Sequence, residues 1–192
     1  MKFSKDLENL LRGSQPLIIL GMHRSGTSLV VRILDDIGIH MGTNLSRDAE
    51  SIFFQKINRR IYKSANSNWG KIDALLNYLE ERTYIERQTE RVVKTLFPST
   101  NLLGINRGIS NHFDLSTWTS LLQNGDTWWG WKDPRTTLTF PIWLKIFPNA
   151  RILHILRNGI DVAISTHRRS QKQQEKFWKR MIPLDYIPET LD

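Results

Sequence analysis

The sequence predicts an α/β fold in which helices cover both faces of a central parallel sheet, and three observations carry that expectation. Leu17-Ile18-Ile19-Leu20 is a short apolar run, β-branched at its centre and bounded by Pro16 and Gly21, as a doubly buried strand is. Arg151-Ile-Leu-His-Ile-Leu156 repeats the pattern late in the chain, and both runs lead through a glycine-containing turn into helical spacing. Strands that alternate with helices in this way lie parallel, with the connections packed on the sheet faces. The chain has 192 residues, no internal repeat and no separating linker, so one domain over residues 1–192 is expected.

Each element has its own local signal. Residues 2–12 alternate charges with leucines as a short amphipathic helix closed by Gly13. After the first strand, Leu29, Val30, Ile33, Leu34 and Ile37 mark a helix from Thr27 to Ile37, stopped by Gly38. Residues 48–65 and 71–97 are helical in pattern, interrupted near Ser67-Asn68-Trp69-Gly70. Asp114 is placed to cap a short helix to Leu122. Trp128 to Trp131 has strand character and is cut at Asp133-Pro134. Thr136 to Phe147 is a helix despite Pro141, and Pro148-Asn149 turns the chain into the second buried strand. Asn158-Gly159 opens a helix from Ile160 to Arg169, with another as far as Met181.

Composition narrows the function. The chain is 40% hydrophobic and 24% charged, which is ordinary for a globular protein and argues against disorder. There is no cysteine, so disulfides, thiolate metal sites and cysteine nucleophiles are excluded. No apolar run approaches the roughly 20 residues that span a bilayer, and residues 1–11 lack the apolar core of a secretory signal. A soluble cytoplasmic protein without a membrane partner is the expectation. The net charge of +8 is concentrated, since residues 145–182 carry nine basic and two acidic side chains. That block suits nucleic acid, a phosphorylated small ligand or a solvated helix face.

The sharpest chemical signal is Gly21-Met-His-Arg-Ser-Gly-Thr-Ser28, between a strand and a helix. Amides of Ser25 to Ser28 at the positive end of the helix dipole suit an anion, with Gly26 permitting close approach. Thr27 and Ser28 add hydroxyls, and Arg24 adds a permanent charge. The glycines fit the triphosphate loop G-x-x-x-x-G-K-[ST], but Thr27 stands where that loop has lysine. Without the lysine, an ATPase or GTPase is disfavoured, and a P-loop kinase of unusual sequence, which would need magnesium and a triphosphate, is a third possibility. Plain helix capping by the hydroxyls is the simpler alternative.

Two further segments join it. Arg157 ends the second strand, at the edge where open parallel sheets bind ligands; Ser165 follows eight residues later, and Arg169 lies one helical turn beyond. These three suit one phosphate, or else form a solvated helix face. In Trp128-Trp-Gly-Trp-Lys-Asp-Pro-Arg135, Lys132 lies near a strand end, and Asp133 either orients it or caps the next helix.

Taken in order, the three segments resemble the sulfotransferase family over roughly residues 16–170. The run from Lys132-Asp133-Pro134 through Phe147-Pro148-Asn149 to Arg157 is similar to protein-tyrosine sulfotransferases and to bacterial sulfotransferases that begin G-M-H-R-S-G-T-S. The resemblance implies a P-loop-like three-layer sandwich. It implies 3′-phosphoadenosine 5′-phosphosulfate (PAPS) as donor, adenosine 3′,5′-bisphosphate (PAP) as product, and a hydroxyl-bearing acceptor. By the same resemblance Arg24, Ser25, Gly26, Thr27 and Ser28 hold the 5′-phosphosulfate. Arg157, Ser165 and Arg169 hold the 3′-phosphate, and Lys132 meets the sulfuryl group.

In-line sulfuryl transfer builds charge on the leaving oxygen, which Arg24 and Lys132 can stabilise without a metal ion. The family's base is a histidine or a glutamate; Glu50 is the first candidate, followed by Asp48 and His40. Related bacterial sequences often carry an acid after a pair of aromatics, but Phe53-Phe54 is followed here by Gln55, which cannot accept a proton. Family members usually continue well past the 3′-phosphate motif, whereas 22 residues follow Ser170, so the chain is expected to lack the usual C-terminal extension. The competing reading is a non-catalytic nucleotide- or nucleic-acid-binding module that uses the basic block, with nucleic acid the less favoured partner.

Overall fold

Apolar β1 (Leu17–Gly21) is the middle strand of a parallel sheet, between β2 (Gly130–Lys132) and β3 (Arg151–Ile155). The computed structural model describes residues 13–98, 108–114 and 127–181, with Asn9, residues 116–117 and residues 120–121 standing apart, and side chains as far as residue 174. Ile18 and Ile19 have no exposed surface, as a strand covered on both faces requires. Leu17 is in register with Gly130 and with Arg151, and Ile19 with Lys132 and Leu153. Glycine is needed at 130 because a Cβ there would stand 2.1 Å from the Leu17 carbonyl oxygen.

Helices cover both faces: α1 (Thr27–Asp36), α2 (Ile52–Ser64), α3 (Asp73–Glu80), α4 (Arg82–Leu96), α5 (Thr136–Ile146) and α6 (Gly159–Met181). The larger core joins Ile18 and Leu20 to α2, α4 and α5 through Phe54, Trp131, Trp143 and Phe147, with Phe54 stacked on Trp131 at 4.0 Å. The smaller core joins Ile19 to Val31, Met41 and Ala49 under α1. The chain is therefore α/β with a central parallel sheet between helices, as the sequence predicts. No helix among the described residues is long and apolar enough to cross a membrane.

Several boundaries differ from expectation, each for a physical reason. The segment expected to be helical from residue 48 starts at Ile52, where the Ser51 hydroxyl caps α2 by accepting from the Phe54 amide. The segment 71–97 breaks at Glu81, whose backbone is extended. Leu75 and Tyr84 are nine residues apart, on opposite faces of any continuous helix, and the break lets both be buried in one core. Pro141 stays within α5 because its missing donor falls on the exposed side. The two helices expected after Asn158 are one, α6, and the Asn158 side chain accepts from the Ile160 amide at its start.

β2 begins at Gly130, leaving Trp128 half exposed beneath the Arg151 guanidinium, 4.4 Å from the ring centroid. β3, expected as a second buried strand, lies at the sheet edge with Ile152 40% exposed. The helix expected over residues 2–12 lies outside the described residues apart from Asn9. The Asp114 helix is described only at residues 116–117 and 120–121, where Asp114 accepts from the Thr117 amide at 2.7 Å.

A buried histidine ties the loop before α2 to the sheet. His112 donates from Nε2 to the Gly130 carbonyl and accepts at Nδ1 from the Ser51 hydroxyl, which assigns its neutral tautomer. Burial pushes its pKa from the ordinary 6.5 down to about 3, against the raising effect of the Gly130 bond. The unfolded chain therefore takes up this proton first as pH falls. Stability from His112 is complete above pH 6.5 and is lost toward pH 3, at about 1.4 kcal/mol per pH unit. Urea unfolding between pH 7 and 4 should show this slope, and His112→Gln should remove it; an unchanged slope in the variant would place the acid sensitivity elsewhere.

Candidate functional site

The turn from β1 into α1 presents unpaired amides. Gly21 has φ +147°, and a Cβ there would approach the Ile155 carbonyl oxygen to 2.8 Å, so the turn requires glycine. The Ser25 hydroxyl donates to the Met22 carbonyl and the Ser28 hydroxyl to the Asp48 carbonyl, so neither caps α1. Thr27 is buried under the turn. Among the described residues the amides of Gly26, Thr27 and Ser28 have no acceptor, at the positive end of a ten-residue helix. Helix capping by the loop's hydroxyls is thus not what these residues do, and the amides suit an anion.

Arginines converge beside it. Arg24 donates from Nε to the Ser165 hydroxyl at 3.0 Å, and Arg157 donates from Nη1 to the Arg24 carbonyl at 3.0 Å. Arg157 also lies 3.6 Å from Asp161, and Arg169 donates to Asp48 Oδ2 at 2.7 Å. Arg24, Arg157, Ser165 and Arg169 line a cavity of about 600 Å³. Of the eight residues expected at the phosphate groups, these four share one cavity, and Ser25, Gly26, Thr27 and Ser28 lie in the adjoining turn. Arg47, Arg168 and Lys172, not singled out in the sequence, line it too. Residues 161, 165, 168, 169 and 172 follow one helical face, a periodicity from which Arg168 and Lys172 could have been found.

A smaller cavity of about 200 Å³ adjoins this one and shares Arg24, Asp48, Arg157 and Arg169 with it. Lys132 enters it from the end of β2, 2% exposed; Nζ donates to the Asp48 carbonyl at 2.6 Å and lies 3.7 Å from Glu50 Oε1. Burial lowers its pKa, opposed by Glu50, Asp48 and Asp133. Glu50 is buried, and its Oε2 accepts from Gln55 at 2.6 Å. Gln55, which cannot serve as a base, thus fixes Glu50. Burial also works to raise the pKa of Asp48, but the Arg169 bond and the charges of Lys132 and Arg24 hold it below the usual carboxylate range.

His40 is not in this site: it donates to the His112 carbonyl and faces Asp114 at 3.6 Å. Its place as a base candidate falls, because its ring is engaged between those partners. Asp133 turns away from Lys132 as well. Its buried carboxylate pairs with Arg135, accepts the Arg135 amide and accepts from Asn58 at 2.8 Å, so its hydrogen bonds go to the turn before α5 and to α2 rather than to the lysine.

His23, which sequence reasoning passed over, lines the smaller cavity with Nδ1 3.7 Å from Glu50 Oε1. Its signal was its place in the loop beside Arg24. No group of three or more metal-ligating side chains lies among the described residues.

The cations, free amides and buried lysine sit at the carboxyl ends of parallel strands, where open α/β sheets bind ligands. The family model described as "Sulfotransferase family" matches residues 16–186. Comparison with the curated proteins and with the solved structures finds no significant match. The match covers most of the chain and spans every element of this site, so the protein belongs to the sulfotransferase family.

Proposed function

We propose that the protein moves a sulfuryl group from PAPS to an acceptor hydroxyl by in-line displacement. The observation that carries this reading is the convergence of unpaired loop amides with Arg24, Lys132, Arg157 and Arg169 on two adjoining cavities. Two adjoining anion sites suit a nucleotide with phosphate groups at both its 3′ and 5′ positions. The amides of Gly26, Thr27 and Ser28 receive the 5′-phosphosulfate, with Ser25 shaping the turn. Arg157, Ser165 and Arg169 receive the 3′-phosphate. The acceptor oxygen attacks sulfur, and charge builds on the bridging oxygen as its bond to sulfur breaks. Lys132 and Arg24 stabilise that charge more than they stabilise the bound donor, which lowers the barrier. Glu50 and His23 are the acid–base groups beside Lys132.

Removal of Arg157 tests the donor assignment. Arg157→Ala should weaken PAP binding by about 1.5–3 kcal/mol, the value of a hydrogen bond to a charged group. Adenosine 5′-phosphate, which lacks the 3′-phosphate, should bind almost as before. Calorimetry with both ligands separates the cases. Equal losses would move Arg157 away from the 3′-phosphate, and failure of the parent protein to bind PAP would remove the donor.

A further inference from the structure

We propose that His23 Nε2 takes the proton from the acceptor hydroxyl while Glu50 holds the imidazole and balances the charge it gains; this rests on the sulfotransferase reading above. Three features of the geometry lead there. Both Glu50 oxygens are engaged, Oε2 by the Gln55 amide and Oε1 between Lys132 Nζ and His23 Nδ1, each at 3.7 Å. The Glu50 side chain is 7% exposed, whereas that of His23 is 31% exposed in the same cavity, so His23 is the more accessible of the two to an entering hydroxyl. The His23 ring is also fixed edge-on against Trp69, with centroids 4.5 Å apart, and Arg135 sits over Trp69 at 4.9 Å. Trp69 and Glu50 thus limit the orientations of the ring, as a proton acceptor requires.

The charges around His23 favour its neutral form. Burial lowers its pKa below 6.5, Arg135 and Lys132 lower it further, and Glu50 and Asp133 act against them. Near neutral pH the ring is an unprotonated base. A proton on Nδ1 directed at Glu50 leaves the Nε2 lone pair for the acceptor. In the transfer, the acceptor oxygen forms a bond to sulfur. The bond from sulfur to the bridging oxygen breaks, with its electron pair leaving on PAP. The hydroxyl proton passes to Nε2, and the imidazolium, paired with Glu50, releases it to solvent after the sulfate ester departs. Glu50 is a positioning residue in this scheme, because it acts through the ring.

His23→Gln and Glu50→Gln decide between the two groups, with PAP release from PAPS followed using phenol, ethanol and water as probe acceptors. His23→Gln should lower turnover by about 100-fold or more, as loss of a general base does, and abolish the acid limb of the kcat/KM profile. Glu50→Gln should keep that limb and move it to lower pH, because the carboxylate that raises the His23 pKa is gone. Loss of the limb in Glu50→Gln with retention in His23→Gln would reverse the roles and overturn the proposal.

Carbon-13 NMR of the imidazoles, with His23 assigned by its loss in the variant, supplies a readout without turnover. A neutral His23 at pH 7 in the PAP complex, titrating lower still in Glu50→Gln, is expected; a protonated ring there would overturn the proposal whatever the acceptor. Calorimetry with PAP keeps the two readings apart. Binding by parent and variants alike leaves the donor site standing when the base assignment fails, and no binding by the parent removes both.

Discussion

Lys132→Ala is expected to cut sulfuryl transfer by about 100-fold or more, the range lost when one electrostatic stabiliser of a transition state is removed. The lysine ammonium is buried at the strand end, held by the Asp48 carbonyl and facing Glu50. In the proposed reaction it meets charge that develops as the sulfur–oxygen bond breaks. PAP affinity should therefore change much less than turnover, since the loop amides, Arg157 and Arg169 remain. Lys132→Arg should not restore the rate, because a planar guanidinium cannot place its charge where a compact ammonium stood in so closed a site. Release of labelled PAP at saturating donor measures the effect, and circular dichroism checks the fold. Normal turnover by the alanine variant would make Lys132 a strut for the 48–50 loop and displace the active site from this cavity.

Asn58→Ala is expected to cost about 1–3 kcal/mol of stability, the range for leaving buried polar groups without their partner. Asn58 is fully buried in α2 and uses its whole side chain: it donates to Asp133 at 2.8 Å and Thr136 at 2.9 Å, and accepts from Thr139 at 2.7 Å and Trp143 at 2.9 Å. Burial already raises the Asp133 pKa against the pull of Arg135 and Asn58. Alanine would leave that carboxylate with one partner fewer and deprive Trp143 of its shorter bond. Urea unfolding followed by circular dichroism measures the loss. A cost below about 1 kcal/mol would mean that water or rearrangement satisfies the orphaned groups.

What was legible in the sequence is what depends on short-range pattern. The run Leu17 to Leu20, the turn at 21–28 and the helix after it are neighbours in sequence, and each forms where its local pattern puts it, although Leu29, Ile33 and Ile37 of the apolar pattern are exposed. That Lys132, Arg157, Ser165 and Arg169 line the two cavities could be anticipated because strand ends and helical turns set where a side chain emerges. What was not legible depends on partners far along the chain. Gln55 reads as a failed base, yet its amide orients Glu50. His40 reads as a candidate base, yet it is engaged by the His112 carbonyl, 72 residues away. The break at Glu81 follows from the shared core of Leu75 and Tyr84, which no periodicity within residues 71–97 reveals.

The ion pairs lining the two cavities make ligand entry an exchange of partners. Arg169 already holds the Asp48 carboxylate, Arg157 faces Asp161, and Lys132 is shared by Glu50 and the Asp48 carbonyl. In the proposed donor complex an arriving anion would displace these internal counter-ions, so part of its attraction to the cations would be offset by the pairings that it breaks. A lone monovalent anion gains little from such a swap. A ligand that brings several charges at fixed spacing can replace more than one carboxylate at once and free the amides of the loop from water together. On the proposed donor assignment, these carboxylates would set a threshold on charge density, favouring a ligand with several charges at fixed spacing over a single anion.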